Sequence, residues 1–75
     1  MREEVKRIMS RVFSIDEGCI PENVSYGDFE KWDSIQHLNL VVELESFYKV
    51  NFDPEEIQAM INLDKIVSVI GQKRA

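Results

Sequence analysis

Apolar residues recur at three- and four-residue steps along much of the chain, with polar punctuation between the runs. Val5, Ile8, Met9, Val12 and Phe13 follow the spacing of one helix face and predict a first helix from about Arg2 to Phe13. Ile35, Leu38, Val41, Val42, Leu44 and Tyr48 predict a second, from Ser34 to about Tyr48, with Gln36, Asn39, Glu43 and Ser46 on its opposite face. Leu63, Ile66, Val67 and Ile70 predict a further helix near the end, with Asn62 as its cap and Gly71 as its stop.

The punctuation adds detail. Asp33 is placed as an N-cap for the second helix, and Gln36 has the spacing to bond back to the Asp33 backbone. Lys49 to Phe52 reads as an extended exit. Asp53-Pro54-Glu55-Glu56 then restarts the chain with a cap, a proline at the first helical position and a glutamate three residues after the cap. That predicts a short third helix, Pro54 to about Met60. Between the first two helices, Gly18, Pro21 and Gly27 break regular structure from Ser14 to Trp32. This connection carries Ile15, Ile20, Val24, Phe29 and Trp32, so it is predicted to lie pinned on the core, with room for a short helical turn near Tyr26–Glu30. No strand-like alternation and no internal repeat is present. The expected fold is all-α: a four-helix bundle with a long first loop and a short third helix, filling residues 1–75 as one domain. Its core is expected to draw on Val5, Ile8, Val12, Phe13, Phe29, Ile35, Leu38, Val42, Phe52, Ile66 and Ile70.

Composition narrows the partners. Lys plus Arg number 9 against 14 Asp plus Glu, a net charge of −5. Nucleic-acid binders carry clustered positive charge, so that class is excluded. The basic residues gather at the ends (Arg2, Lys6, Arg7, Arg11, Lys73, Arg74), which leaves the acidic middle as the expected partner face. Cys19 is the only cysteine, so no internal disulfide forms, and a lone thiol in a reducing compartment is expected as a small buried apolar residue. Met1-Arg2-Glu3-Glu4 is charged and no apolar run approaches ~20 residues. Neither a signal peptide nor membrane insertion is expected, and the protein is expected to be a cytoplasmic monomer.

Self-contained catalysis finds little support. One His and one Cys are too few for a usual metal site, and no glycine-rich phosphate loop is present. Ser34 and His37 lie one turn apart, the spacing of a nucleophile and a base, but no third group in the sequence orients the imidazole. His37 is expected at the rim of its helix. Ser34 is the more informative residue. It is the first residue of the second helix, where backbone N–H groups are unpaired and the macrodipole favours anions, so a phosphate ester on its hydroxyl would be well placed. Taken alone, an Asp-Ser pair at a helix start is ordinary capping chemistry and is far more often structural than a modification site.

With these elements in order, the chain resembles the acyl carrier protein family, including the related peptidyl carrier domains. Asp33-Ser34-Ile35 is similar to the family's Asp-Ser-Leu/Ile motif. The likeness continues through Leu38, Leu40-Val41-Val42 and Leu44-Glu45, then Tyr48, Val50 and Phe52, and the third and fourth helices fall where the family has them. The resemblance implies that Ser34 receives 4′-phosphopantetheine from coenzyme A through a separate phosphopantetheinyl transferase, with Asp33 as motif residue and helix cap. It also implies a non-enzymatic carrier that holds an acyl group as a thioester for loading enzymes and for downstream synthases and transferases. Trp32, Ile35, Gln36, Asn39, Glu43, Glu55 and Glu56 would form the partner footprint.

Departures from the family's pattern point to a specialised, freestanding carrier rather than the housekeeping carrier of fatty acid synthesis. Trp32 stands where fatty-acid carriers usually have Gly, Gln36 and Asn39 stand at acidic positions, and Lys49 replaces a common Gly. Aminoacyl or peptidyl cargo is one alternative. An unmodified helical interaction domain is the other.

Overall fold

The computed structural model describes residues 1–74. Four α-helices run in the expected order among them: α1 Arg2–Phe13, α2 Ser34–Tyr48, α3 Pro54–Ala59 and α4 Leu63–Arg74. α1 packs on α2 and α4, and α3 leans on α4. No helix among the described residues is long and apolar enough to cross a membrane.

Local chemistry sets the helix ends. α1 stops where Ser14 turns into the left-handed region, φ 57°, and its N–H closes on the Ser10 carbonyl. α2 stops the same way at Lys49, φ 56°, and the Glu45 carboxylate then accepts the Phe52 N–H at 2.9 Å, tying the extended exit back to the helix. At α3, the Glu56 carboxylate reaches back to the Asp53 N–H at 2.8 Å, as a capping box requires. At α4, Asn62 Oδ1 accepts the Lys65 N–H at 2.8 Å. Gly71 does not end this helix, which runs through it to Arg74.

The long connection is held on the core by its own apolar residues. Ile20, Val24 and Trp32 are buried, with Ile15 and Phe29 partly so. Phe13 meets Phe29 and Trp32 with ring centres 5.8 and 5.9 Å apart. The one helical turn in the connection is a 3₁₀ turn at Glu17–Cys19. Around Tyr26–Glu30 the chain makes turns rather than a helix. Gly27, φ 95°, supplies the left-handed residue there. An antiparallel bridge from Ser25 to Asn62 and a 2.8 Å bond from the Tyr26 N–H to the Ile61 carbonyl fasten this end of the loop to the α3–α4 junction. Cys19, expected to be buried, is exposed on the 3₁₀ turn.

The core differs from expectation along α2. Ile35, Leu38 and Val42 are 73%, 59% and 62% exposed, whereas Leu40, Val41, Leu44 and Tyr48 are buried. At about 100° per residue, the apolar positions of α2 span an arc wider than one packing face. A bundle this small covers only one flank of that arc, and the flank it covers faces α1. Elsewhere Val5, Ile8, Phe13, Phe52, Ile66 and Ile70 are buried as expected, Val12 and Phe29 pack partly buried at the edge, and Met9, Met60 and Leu63 join them.

Candidate functional site

The head of α2 is built by three converging segments. Asp33 adopts extended backbone angles, φ −104° and ψ −175°, and its Oδ1 accepts the Gln36 N–H at 2.9 Å. Its carbonyl accepts the His37 N–H at 2.8 Å, the first bond of the helix. The reciprocal half of a capping box does not form here, because Gln36 Oε1 accepts instead from Asn39 Nδ2 at 3.1 Å. Ser34 follows as the first helical residue and is exposed. Its hydroxyl shares a 2.8 Å hydrogen bond with the Tyr26 phenol, which arrives from the long connection.

Beneath this pair lies a fixed aromatic assembly. Trp32 is 1% exposed, so it lies inside the core rather than on the expected partner footprint. Its indole N–H must find a partner once buried, and it donates to His37 Nδ1 at 3.0 Å. With Nδ1 accepting, the ring proton sits on Nε2, which donates to the Ile57 carbonyl at 2.8 Å. The imidazole is therefore oriented after all, by the Trp32 indole from the loop and the Ile57 carbonyl from α3. Both ring nitrogens are occupied, which leaves neither free to act as a base toward Ser34. His37 is a brace between the loop and α3.

Tyr26, Ser34, His37, Leu38, Gln58 and Ile61 line a cavity of about 340 Å³ that opens beside the Ser34 hydroxyl. No charged residue contributes to its wall. Of the expected footprint, Ile35, Asn39 and Glu43 are exposed on α2 and Glu55 on α3, while Gln36 is half-buried. Glu56 is drawn inward. The Asp53 N–H and then Lys73, 2.9 Å away, hold its carboxyl below the usual glutamate range, so its charge is already engaged within the fold. Tyr26, Gln58 and Ile61 were not anticipated from the sequence. No short-range pattern marks them, because the Tyr26 N–H bond to the Ile61 carbonyl that gathers them is tertiary.

No family model matches the chain. A solution structure of holo acyl carrier protein from Geobacter metallireducens, however, shares its fold with a TM-score of 0.83 and 30% sequence identity, covering 96% of this chain and 83% of that one. The chain belongs to the acyl carrier protein family. Two curated relatives agree. The carrier is 27% identical over 71 residues to polyketide-8 synthase acyl carrier protein 1 of Streptomyces avermitilis, covering 95% of this chain and 84% of that one. It is likewise 27% identical over 71 residues to the acyl carrier protein of Petrotoga mobilis, with the same shares covered.

Proposed function

We propose that Ser34 bears a covalent 4′-phosphopantetheine arm and that the carrier presents an acyl intermediate on it to partner enzymes. The observation that carries this is an exposed serine hydroxyl at the N-terminus of a 15-residue helix, opening beside a cavity large enough to shelter part of a chain. When bound, the arm supplies a terminal thiol that holds the acyl group as a thioester. The protein's own residues do the rest. Asp33 fixes the helix start that displays Ser34 and claims the Gln36 N–H. The first backbone N–H groups of α2 and its dipole favour the phosphodiester charge. Tethering keeps the cargo at high effective concentration near a docked partner.

Acyl rather than aminoacyl cargo is favoured by the cavity wall, which offers Leu38 and Ile61 but no carboxylate to pair with an ammonium group. The departures at Trp32, Gln36, Asn39 and Lys49, together with a polyketide synthase carrier among the relatives, support a specialised pathway. The partners would be a phosphopantetheinyl transferase, a loading enzyme and downstream synthases, in the cytoplasm.

The test is direct. Unmodified protein, coenzyme A, magnesium and a broad-specificity phosphopantetheinyl transferase should give one added arm by intact mass. Ser34→Ala should block the addition with a nearly unchanged melting temperature, since Asp33 remains as the cap. Labelling of the alanine variant, or none of the parent with several transferases, would refute the assignment.

A further inference from the structure

We propose that Tyr26 is a positioning residue for the arm: its phenol O–H donates to the phosphodiester on Ser34 and holds the root of the arm over the neighbouring cavity. This rests on Ser34 being the attachment point.

The phenol ring is gripped from several sides. Its backbone N–H is bonded to the Ile61 carbonyl at 2.8 Å, and Gly27 turns the chain immediately after it. Its ring stands edge-on to Trp32, with centres 6.2 Å apart and planes at 82°, and lies 5.5 Å from His37. Those two rings are in turn fixed by the indole N–H to Nδ1 bond and by the Nε2–H bond to Ile57. The hydroxyl is thus aimed by a braced support rather than by chance, and it lands 2.8 Å from Ser34 Oγ.

Packing does not require that hydroxyl. Tyr26 is 39% exposed, and phenylalanine would supply the same ring contacts. In the unmodified chain either oxygen can be the donor. Once Ser34 Oγ becomes an ester oxygen it can only accept, so in any bond to it or to the phosphate oxygens bonded beside it the phenol is the donor. A hydrogen bond to an ionised phosphodiester is stronger than the neutral one it replaces. Tyr26 also forms part of the cavity wall with Leu38, Gln58 and Ile61. A bond at this point therefore biases the arm toward the cavity and away from free rotation in solvent.

The experiment compares the arm-bearing parent with arm-bearing Tyr26→Phe by NMR. Labelling is taken to completion and verified by mass, so an unlabelled parent would count against Ser34 attachment and not against Tyr26. The phosphorus resonance should shift between the two proteins. The ratio of cavity-docked to free arm, read from contacts between arm protons and the Leu38 and Ile61 side chains, should fall roughly two- to tenfold, as loss of one hydrogen bond predicts. In the parent alone, the protons flanking the Tyr26 hydroxyl should show contacts to the first methylene of the arm, a result that needs no variant. Identical phosphorus shifts and docked fractions would overturn the proposal, as would the absence of those contacts in the parent. A Tyr26→Phe protein that folds but accepts no arm would overturn it too, by placing the phenol's role before attachment.

Discussion

Leu38 and Leu40 are chemically identical, two positions apart, and opposite in role. Leu40 is fully buried in the core, while Leu38 stands 59% exposed and lines the cavity. Truncating the first removes buried methyl groups and leaves a void, so Leu40→Ala should cost about 2–5 kcal/mol in urea unfolding. Truncating the second exposes little that was buried, and Leu38→Ala should stay within about 0.5 kcal/mol. Equal costs would mean that α2 is rotated from the orientation described. Periodicity could not separate the two. At about 100° per residue they lie on nearly opposite sides of α2, both sides carry apolar residues, and only contact with α1 decides which is covered. Trp32 is a similar case. Its burial depends on the Phe13 ring from α1 packing against it and on His37 accepting from its indole N–H, and neither can be read from the helical spacing around it. Ser34 was legible because its position depends on Asp33 and the first turn alone.

At the scale of elements, α4 shows how a strong local signal is overridden. A glycine ends a helix when it takes left-handed angles, yet among the described glycines only Gly27 has positive φ, and Gly71 continues the helix. Contacts beyond it hold the last turn: Lys73 pairs with Glu56 at 2.9 Å, and the Arg74 guanidinium lies 5.3 Å from the centre of the Tyr48 ring. Glycine inside a helix costs roughly 0.5–1 kcal/mol relative to alanine, and a Cβ at this position would meet nothing within 4 Å. Gly71→Ala should therefore stabilise the protein by about that amount, read as a raised urea midpoint with unchanged slope. A lowered midpoint would place the natural end of α4 at Gly71. The caps at Asp33, Asp53 and Asn62 were legible from sequence because each is local chemistry within four residues. The Tyr26–Ser34 contact was not, since it depends on the loop being fastened to Ile61.

For the whole molecule, the exposed flank of α2 makes the proposed docking surface less electrostatic than its net charge of −5 suggests. Ile35, Leu38 and Val42 form an apolar stripe running from the Ser34 end of the helix, and Gln36 and Asn39 bond to each other beside it. Carboxylates are sparse in this footprint. Glu43 and Glu55 are exposed, but Glu56 is already committed to the Asp53 N–H and Lys73. Each exposed charge pair with a partner contributes only about 0–1 kcal/mol and is screened by salt, whereas burial of the stripe is not screened. Dedicated partners should therefore bind with a shallow salt dependence, and enzymes with a basic docking patch should use this carrier poorly. Gln36→Glu with Asn39→Glu supplies two carboxylates beside the stripe without touching Ser34, Tyr26 or the core. With a malonyl transferase that docks through basic residues, the double variant should load faster than the parent at low salt. The advantage should fade as ionic strength rises toward 1 M, where the screening length shrinks to about 3 Å. Equal and strongly salt-sensitive loading of both proteins would show that charge elsewhere on the carrier governs its choice of partner.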